Sequence, residues 1–589
     1  MTQTSNELPD SQPLSPTARL LWIVLIFATL YLCYFHNLGA LGLVGPDEPR
    51  YAWIARDMQE TGDYITPRLY GKPWFEKPPL YYWGAALSFK FFGVSETSAR
   101  LPSAIAALFA TLALAWLALR LYGSEAARWL LLLLPTTAGM VGFSHAAATD
   151  MPFAAMLTIA MVFATILLNL VPSVTPQLQS GATSTNSLRS FTSFTSSTSS
   201  TSFTSFFLGF FLALASLAKG PAAIILSGGA VLLWAVFTKR WRDALRCLHP
   251  VAIASFCLTA LPWYILCARR NPDFFRVFII EHNFNRFLTP QFQHMQPFWY
   301  YIPILLIAFL PWTPLLLVSV SFGALKFWHE RKFSPATTLF VCWLLFCLLF
   351  FSLSKSKLPG YILPAMPAIG ILLARCLIRL MPLFGIYFRW LLALFGSVFA
   401  AAGVLLYVFL GHLHTSHLTV RAARVTALIL LMFAITDWLL TFYKTRFDNH
   451  IPAAACCVLP VLFLAGYVPK LLPGFVPYDP SGKTLAAEIM STQLPPDLYV
   501  GPIPRGQYFS LNFYLHREIK EWDKTNPQEG YLLSRFRGCN SQVAPGWTCN
   551  ADPAELARSG WFIFRVQPGS SLGGLGGGNA GSLSGRQPR

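Results

Sequence analysis

Two carboxylates stand side by side at Asp47 and Glu48, in the stretch Gly45-Pro46-Asp47-Glu48-Pro49-Arg50-Tyr51, directly after the first long apolar run. A third, Asp150, opens a later apolar run within His145-Ala146-Ala147-Ala148-Thr149-Asp150-Met151-Pro152. Carboxylates at the mouths of apolar spans can orient or deprotonate an acceptor, or together hold a divalent cation. Each also has a plainer reading. Asp47 is placed as an N-cap, accepting from the free N–H groups of a first turn that tolerates Pro49, and Asp150 precedes Pro152 in the same manner. Local spacing does not choose between the two.

Cations recur at similar boundaries. Lys77 follows Glu76 in Lys72-Pro73-Trp74-Phe75-Glu76-Lys77-Pro78-Pro79-Leu80-Tyr81, where prolines stiffen the backbone. The aromatics suit a membrane interface, and a lysine held rigidly at headgroup level suits a lipid phosphate. Lys219 ends an otherwise uncharged run and is followed by Gly220-Pro221, which fixes a residue that could otherwise simply snorkel. In Glu281-His282-Asn283-Phe284-Asn285-Arg286-Phe287, a short helix would present His282 and Arg286 together. Arg286 suits a phosphate because its planar fork donates two bonds, whereas one His and one Glu lack the spacing of a zinc helix. Lys355, Lys357 and Tyr361 lie in Lys355-Ser356-Lys357-Leu358-Pro359-Gly360-Tyr361. A charge pair beside a span is usually an anchor. Five cations on one side (Lys77, Lys219, Arg286, Lys355 and Lys357) exceed what anchoring needs.

The elements that position these residues follow from composition. Of 589 residues, 54% are hydrophobic and 12% charged, where a soluble domain carries about 25% charged residues. The net charge of +18 falls mainly in loops between apolar runs, which points to lipid phosphates and topology and away from nucleic acid. Runs of spanning length number about thirteen, near 18–38, 99–121, 127–144, 152–172, 205–219, 221–238, 248–268, 299–322, 335–353, 358–380, 388–411, 424–443 and 451–470. The expected architecture is an all-α polytopic membrane domain over 18–470, after a cytoplasmic segment 1–17. Two interfacial helices fill the first external loop. The first carries Tyr51, Ile54, Ala55 and Met58 on one face, with Arg50, Arg56, Asp57 and Glu60 elsewhere, and ends at Gly62; the second lies within 78–92.

Numbering the loops alternately puts every motif above on one side, with short basic loops on the other. An odd number of spans then places the N-terminus inside and the C-terminal region outside. Residues 173–206, rich in Ser, Thr and Phe, read as a disordered cytoplasmic insertion. Residues 471–567 read as a small soluble α/β or mostly β domain, and 568–589 as a disordered Gly/Ser tail. Nine of 11 cysteines sit in or beside apolar runs; Cys539 and Cys549 bracket a polar turn in the soluble region. A disulfide between them would match an oxidising compartment.

Taken in order, DE after the first span, FEKPPLYYW, TDMP, the KGP turn, EHNFNRF and SKSKLPGYILP resemble the GT-C class of polyprenyl-phosphate-dependent glycosyltransferases. The bacterial lipid A 4-amino-4-deoxy-L-arabinose transferases and their protein O-mannosyltransferase-like relatives are the nearest members. The resemblance covers about 18–470; the low-complexity insertion and the tail have no counterpart in it. It implies an inverting displacement at the periplasmic face of the bacterial inner membrane, without a covalent intermediate. The donor would be an undecaprenyl-phosphate-linked sugar, and the acceptor lipid A, another glycan or a protein. Asp47 and Asp150 would be the active-site carboxylates, with Glu48 and Glu76 as supporting acids. Lys77, Arg286 and Tyr361 would hold the donor phosphate, with Lys219 and Lys357 lining the same cavity and His282 and Lys355 beside them. A divalent metal between Asp47 and Asp150 is left open, no other cofactor is implied, and a monomer is expected. A transporter of lipid-linked sugar is the competing class. It calls for polar residues at mid-span, whereas nearly all charges here sit at one membrane face.

Overall fold

The computed structural model describes residues 14–172, 198–289, 295–330, 333–380, 387–410, 417–442, 451–475, 479–491, 497–535, 542–556 and 560–568. Two compact units make up the chain, 1–481 and 482–589.

The first unit is helical. It runs α1 (Pro16–Tyr34), α2 (Asp47–Thr61), a hairpin of β1 (Arg68–Leu69) and β2 (Lys72–Pro73), α3 (Leu80–Phe92), α4 (Glu96–Tyr122), α5 (Ser124–Leu133), α6 (Ala138–Ser144), α7 (Asp150–Leu167), α8 (Thr198–Lys219), α9 (Ala222–Thr238), α10 (Trp241–Leu245) and α11 (Pro250–Arg270). After a π-helix (Arg276–Asn285) come α12 (Arg286–Leu288), α13 (Tyr301–Ala308), α14 (Thr313–Glu330), α15 (Pro335–Leu353), α16 (Met366–Leu380), α17 (Tyr387–Leu410), α18 (His417–Phe442) and α19 (Ile451–Phe475). Among the described residues seven helices are long and apolar enough to cross a membrane, or eight if the bent pair α5 and α6 is one span. The chain is a multi-pass membrane protein.

Lipid tails are as apolar as leucine, so these helices associate through close packing by small residues. The buried face of α4 shows this, with Ala99, Ser103, Ala106, Ala107, Ala110, Thr111 and Ala118 closing on α5 and α7. Ser95 and Ser98 form a capping box that starts α4 abruptly and fixes its first turn, just before Arg100. Between α1 and α4, α2 packs on α3 through Tyr51, Tyr81 and Tyr82, all nearly or fully buried with ring centroids 5.8–6.1 Å apart. Met58 and Ile54 complete that buried face, and Gly62 closes α2 at φ +71°, as the pattern required.

Several expectations change. Asp47 is not an N-cap: Pro46 occupies that position without a side-chain cap bond, and Asp47 is the first residue of the helix. The low-complexity segment is not disordered to its end, because α8 begins at Thr198 and draws the last Ser/Thr/Phe residues into a span. The remainder of that segment, 173–197, lies outside the described residues. The short helix considered for Glu281 to Phe287 is present, as the end of a π-helix running into α12. The tight turn expected at Lys219-Gly220-Pro221 is present, with Gly220 at φ +87° between α8 and α9.

The second unit has α20 (Lys483–Ser491), β3 (Leu498–Val500), α21 (Arg505–Leu515), β4 (Gly530–Ser534), β5 (Trp547–Leu556) and β6 (Trp561–Pro568). The sheet order is β3-β4-β6-β5. β3 runs parallel to β4, reached by a crossover through α21, and the other pairs are antiparallel. Leu485, Ile489, Leu511, Leu533 and Ile563 share its core. Cys549 on β5 is disulfide-bonded; Cys539 lies outside the described residues, as does the tail from 569.

Candidate active site

Three parts of the chain carry the site's charges: the start of α2, the rigid segment before α3, and the junctions around α7, α8 and the π-helix. Asp47, whose side chain is 46% exposed, pairs with Arg50 one turn later. Arg50 is buried, 3.2 Å from Glu76 through its other Nη, and its guanidinium lies 5.2 Å from the Trp74 ring and 5.5 Å from that of Tyr51. Glu76 is the hub. Its carboxylate lies 3.2 Å from Arg286 and 3.6 Å from Lys77 as well as meeting Arg50. Arg286 then sits 5.9 Å from the centre of the Tyr361 ring, over which Lys219 Nζ stands at 4.7 Å. Lys219 donates to Asp150 Oδ1 at 2.5 Å. A continuous run of charge and ring contacts thus joins Asp47 to Asp150.

The balance of this run matters. Arg50, Lys77, Lys219 and Arg286 face three carboxylates, Asp47, Glu76 and Asp150. One positive charge is left over, which suits an incoming phosphate. Burial by itself would raise the Glu76 pKa, but Lys77, Arg50 and Arg286 outweigh it and hold the carboxyl well below its usual range. For Lys77 burial wins: only partly offset by Glu76, it pulls the ammonium down to about 8. Burial also lowers His282.

Lys77, Lys219, His282, Arg286 and Tyr361 line one end of a cavity of about 360 Å³. The remaining wall is largely apolar: Phe153, Pro221, Ile225, Phe284, Leu288 and Phe350 are among its residues. A polar head with an alkyl or prenyl chain fits such a space. Gly220 lets the π-helix come close, since a Cβ there would sit 3.0 Å from Phe278 and 3.2 Å from the Asn283 amide oxygen.

Three expected members lie elsewhere. Glu48 is buried and fully used: its two oxygens accept from Arg100 Nε and Nη2 at 2.9 and 2.7 Å, and from the backbone N–H of Ala147 and Val44 at 2.8 and 2.9 Å. A carboxylate with four donors has no lone pair left for a substrate. Lys357 turns from the cavity and donates to the carbonyls of Ser354 and Gln296 at 2.6 and 3.1 Å, bracing its own loop. Lys355 is exposed and does not line the cavity; its backbone N–H donates to Phe287 O at 2.9 Å. Conversely, Arg50, which helical spacing sets apart from the apolar face of α2 without giving it a role, belongs to the site. A cation one turn after two carboxylates was the available signal. Arg100, 52 residues from Glu48 in the chain, had none.

The donor set does not fit a divalent ion between Asp47 and Asp150. Each is paired to a cation, and among the described residues no three His, Cys, Asp or Glu side chains are grouped to hold a metal.

A helical scaffold with apolar spans and with cations lining a largely apolar cavity defines the class, a multi-pass membrane protein. Models of dolichyl-phosphate-mannose-protein mannosyltransferases match residues 76–169 and 180–278. The undecaprenyl phosphate-alpha-4-amino-4-deoxy-L-arabinose arabinosyl transferase of Enterobacter sp. (strain 638) is 32% identical over 452 residues, 75% of each chain. That of Edwardsiella ictaluri is 32% identical over 61% of this chain and 60% of its own. Among solved structures, ArnT from Cupriavidus metallidurans bound to undecaprenyl phosphate superposes with a TM-score of 0.73 at 22% identity, over 94% of this chain and 99% of that one. The chain belongs to the undecaprenyl phosphate-4-amino-4-deoxy-L-arabinose arabinosyl transferase family of membrane glycosyltransferases.

Proposed function

We propose that this protein transfers 4-amino-4-deoxy-L-arabinose from undecaprenyl phosphate to lipid A at the outer face of the bacterial cytoplasmic membrane. The observation that carries this reading is the cavity lined by Lys77, Lys219 and Arg286 together with a largely apolar wall. In the reaction the bond between the anomeric carbon and the donor phosphate oxygen breaks, and the phosphate keeps the electron pair. Lys77, Arg286 and Lys219 stabilise the charge that develops on it. The acceptor oxygen forms its bond from the opposite face, so the centre inverts. An acceptor phosphate is already anionic, and Asp47 would position it; a hydroxyl acceptor would yield its proton to Asp47. Asp150 stabilises positive character at the sugar once Lys219 has turned towards the phosphate. Tyr361 and Glu76 hold Arg286 and Lys219 in register, and His282 borders the phosphate.

In this reading the chain crosses the membrane thirteen times, counting α5 with α6 and α13 with α14 as single broken spans, with the N-terminus cytoplasmic and the second unit external. Monomeric enzyme suffices for this chemistry. The test is transfer of radiolabelled sugar from the lipid-linked donor by purified protein, with lipid A, a glycan or a peptide as acceptor. Transfer to lipid A that Asp47→Ala abolishes is expected. Normal turnover by that variant removes Asp47 from the mechanism, and transfer to peptide alone moves the acceptor to protein.

A further inference from the structure

The two loops that lead into Asp47 and Asp150, 38–46 and 145–149, are irregular, yet one turn of α4 holds both. Arg100, 4% exposed, points into the first. Its Nη1 donates to Leu38 O and Leu41 O, both at 2.7 Å, and its Nη2 to Gly42 O at 2.9 Å. The same guanidinium donates through Nε and Nη2 to Glu48. Glu48 in turn accepts from Ala147 N, three residues before Asp150. One helical turn further along α4, Ser103 Oγ donates to Ala148 O at 3.4 Å. His145 Nε2 adds a contact of 3.0 Å to His36 O, tying the second loop to the end of α1.

We infer that the Arg100–Glu48 pair is a positioning element that sets the separation of Asp47 and Asp150 across the reaction centre. The inference rests on the proposed roles of those two aspartates. Its physical basis is twofold. A buried ion pair with every donor and acceptor satisfied has one geometry, because any displacement exposes an uncompensated charge. The pair also bonds to three segments at once: α4, the loop leading to Asp47, and the loop leading to Asp150. Glu48 adjoins Asp47 in the chain, so its fixed carboxylate also fixes the first turn of α2. None of these groups lines the donor cavity. The cations of the phosphate cradle stand on other elements, α8, α12 and the segment before α3.

That separation makes the inference testable. Glu48→Gln keeps the shape but puts a donor where an acceptor is needed, and Arg100→Lys keeps the charge but loses the fork. In both variants we expect kcat at saturating donor to fall about 10- to 100-fold, the usual effect of a misplacement near 1 Å. Binding of undecaprenyl phosphate, titrated on the purified variants, should stay within about twofold, since the cradle's charges are untouched. Turnover within twofold of the parent in both variants overturns the inference. So does a parallel loss of donor binding and thermal stability, or failure to obtain either variant folded, because the pair would then be only a folding support. Asp47→Asn and Asp150→Asn serve as references. If these remain active while the clamp variants behave as the parent, the proposed active site fails, not the clamp alone.

Discussion

Lys219 Nζ donates to Asp150 Oδ1 at 2.5 Å while standing 4.7 Å from the centre of the Tyr361 ring. The lysine ends α8 and the aspartate begins α7, 69 residues apart in sequence. In this state each neutralises the other. In the mechanism we propose, a donor phosphate arriving in the cavity competes for the ammonium and frees the carboxylate.

Asp150→Asn and Lys219→Gln are therefore each expected to lower turnover by about 10²-fold or more. Because the two act as a unit, the double variant should lose far less than the product of the single losses. Steady-state transfer rates for the three variants check this; multiplicative losses would show independent roles.

The lowered pKa of Lys77, about 8, predicts a pH dependence of donor binding. The phosphate needs the ammonium, which is present below that value and lost above it. Affinity for undecaprenyl phosphate should be full below about pH 8 and then decline, by up to about tenfold per pH unit. Arginine stays protonated over this range, so Lys77→Arg should flatten the profile, as titrations between pH 6 and 10 will show.

Glu76 compensates Arg50, Lys77 and Arg286 together. Glu76→Gln leaves three buried cations short of a partner and should cost about 3–5 kcal/mol of stability. Thermal unfolding in detergent should show a clearly lower midpoint, restored in part when polyprenyl phosphate is added, since the ligand supplies the missing negative charge.

Gly220 is the hinge between Lys219 and α9. Gly220→Ala forces a side chain into φ +87° and 3.0 Å from Phe278, at a backbone cost of about 1–2 kcal/mol. The strain pushes the π-helix from α8, so donor affinity should fall more than expression does. Binding measured against extracted yield separates the two.

Lys357 and Lys355 supply a contrast. Lys357→Met should lower stability, since the Ser354 and Gln296 carbonyls lose their donor, yet leave donor affinity within about twofold. Lys355→Ala should change neither. A large loss of donor affinity in either variant would return that lysine to the phosphate site.

The residue types at the site are legible in the sequence, because charged residues at the ends of apolar runs stand out directly; their common membrane face is an expectation from loop alternation. Of the residues the motifs single out, the structure brings Asp150, Lys77, Lys219, Arg286, Tyr361, His282 and Glu76 together, and helical spacing gives the short buried face of α2. The extent of pairing was not legible. Glu48 read as Asp47's chemical twin, yet adjacent residues on a helix point about 100° apart, and that rotation sends Glu48 into Arg100. Helical spacing likewise set Arg50 apart from the apolar face without showing that Glu76 and Trp74 would bury it. Lys357 carries the right charge in the right loop and still turns to backbone carbonyls. Charge and side of the membrane are properties of a sequence read in order. Which cation meets which carboxylate depends on helices brought together from distant positions, and only the packed bundle of α2, α4, α7, α8 and the π-helix decides that.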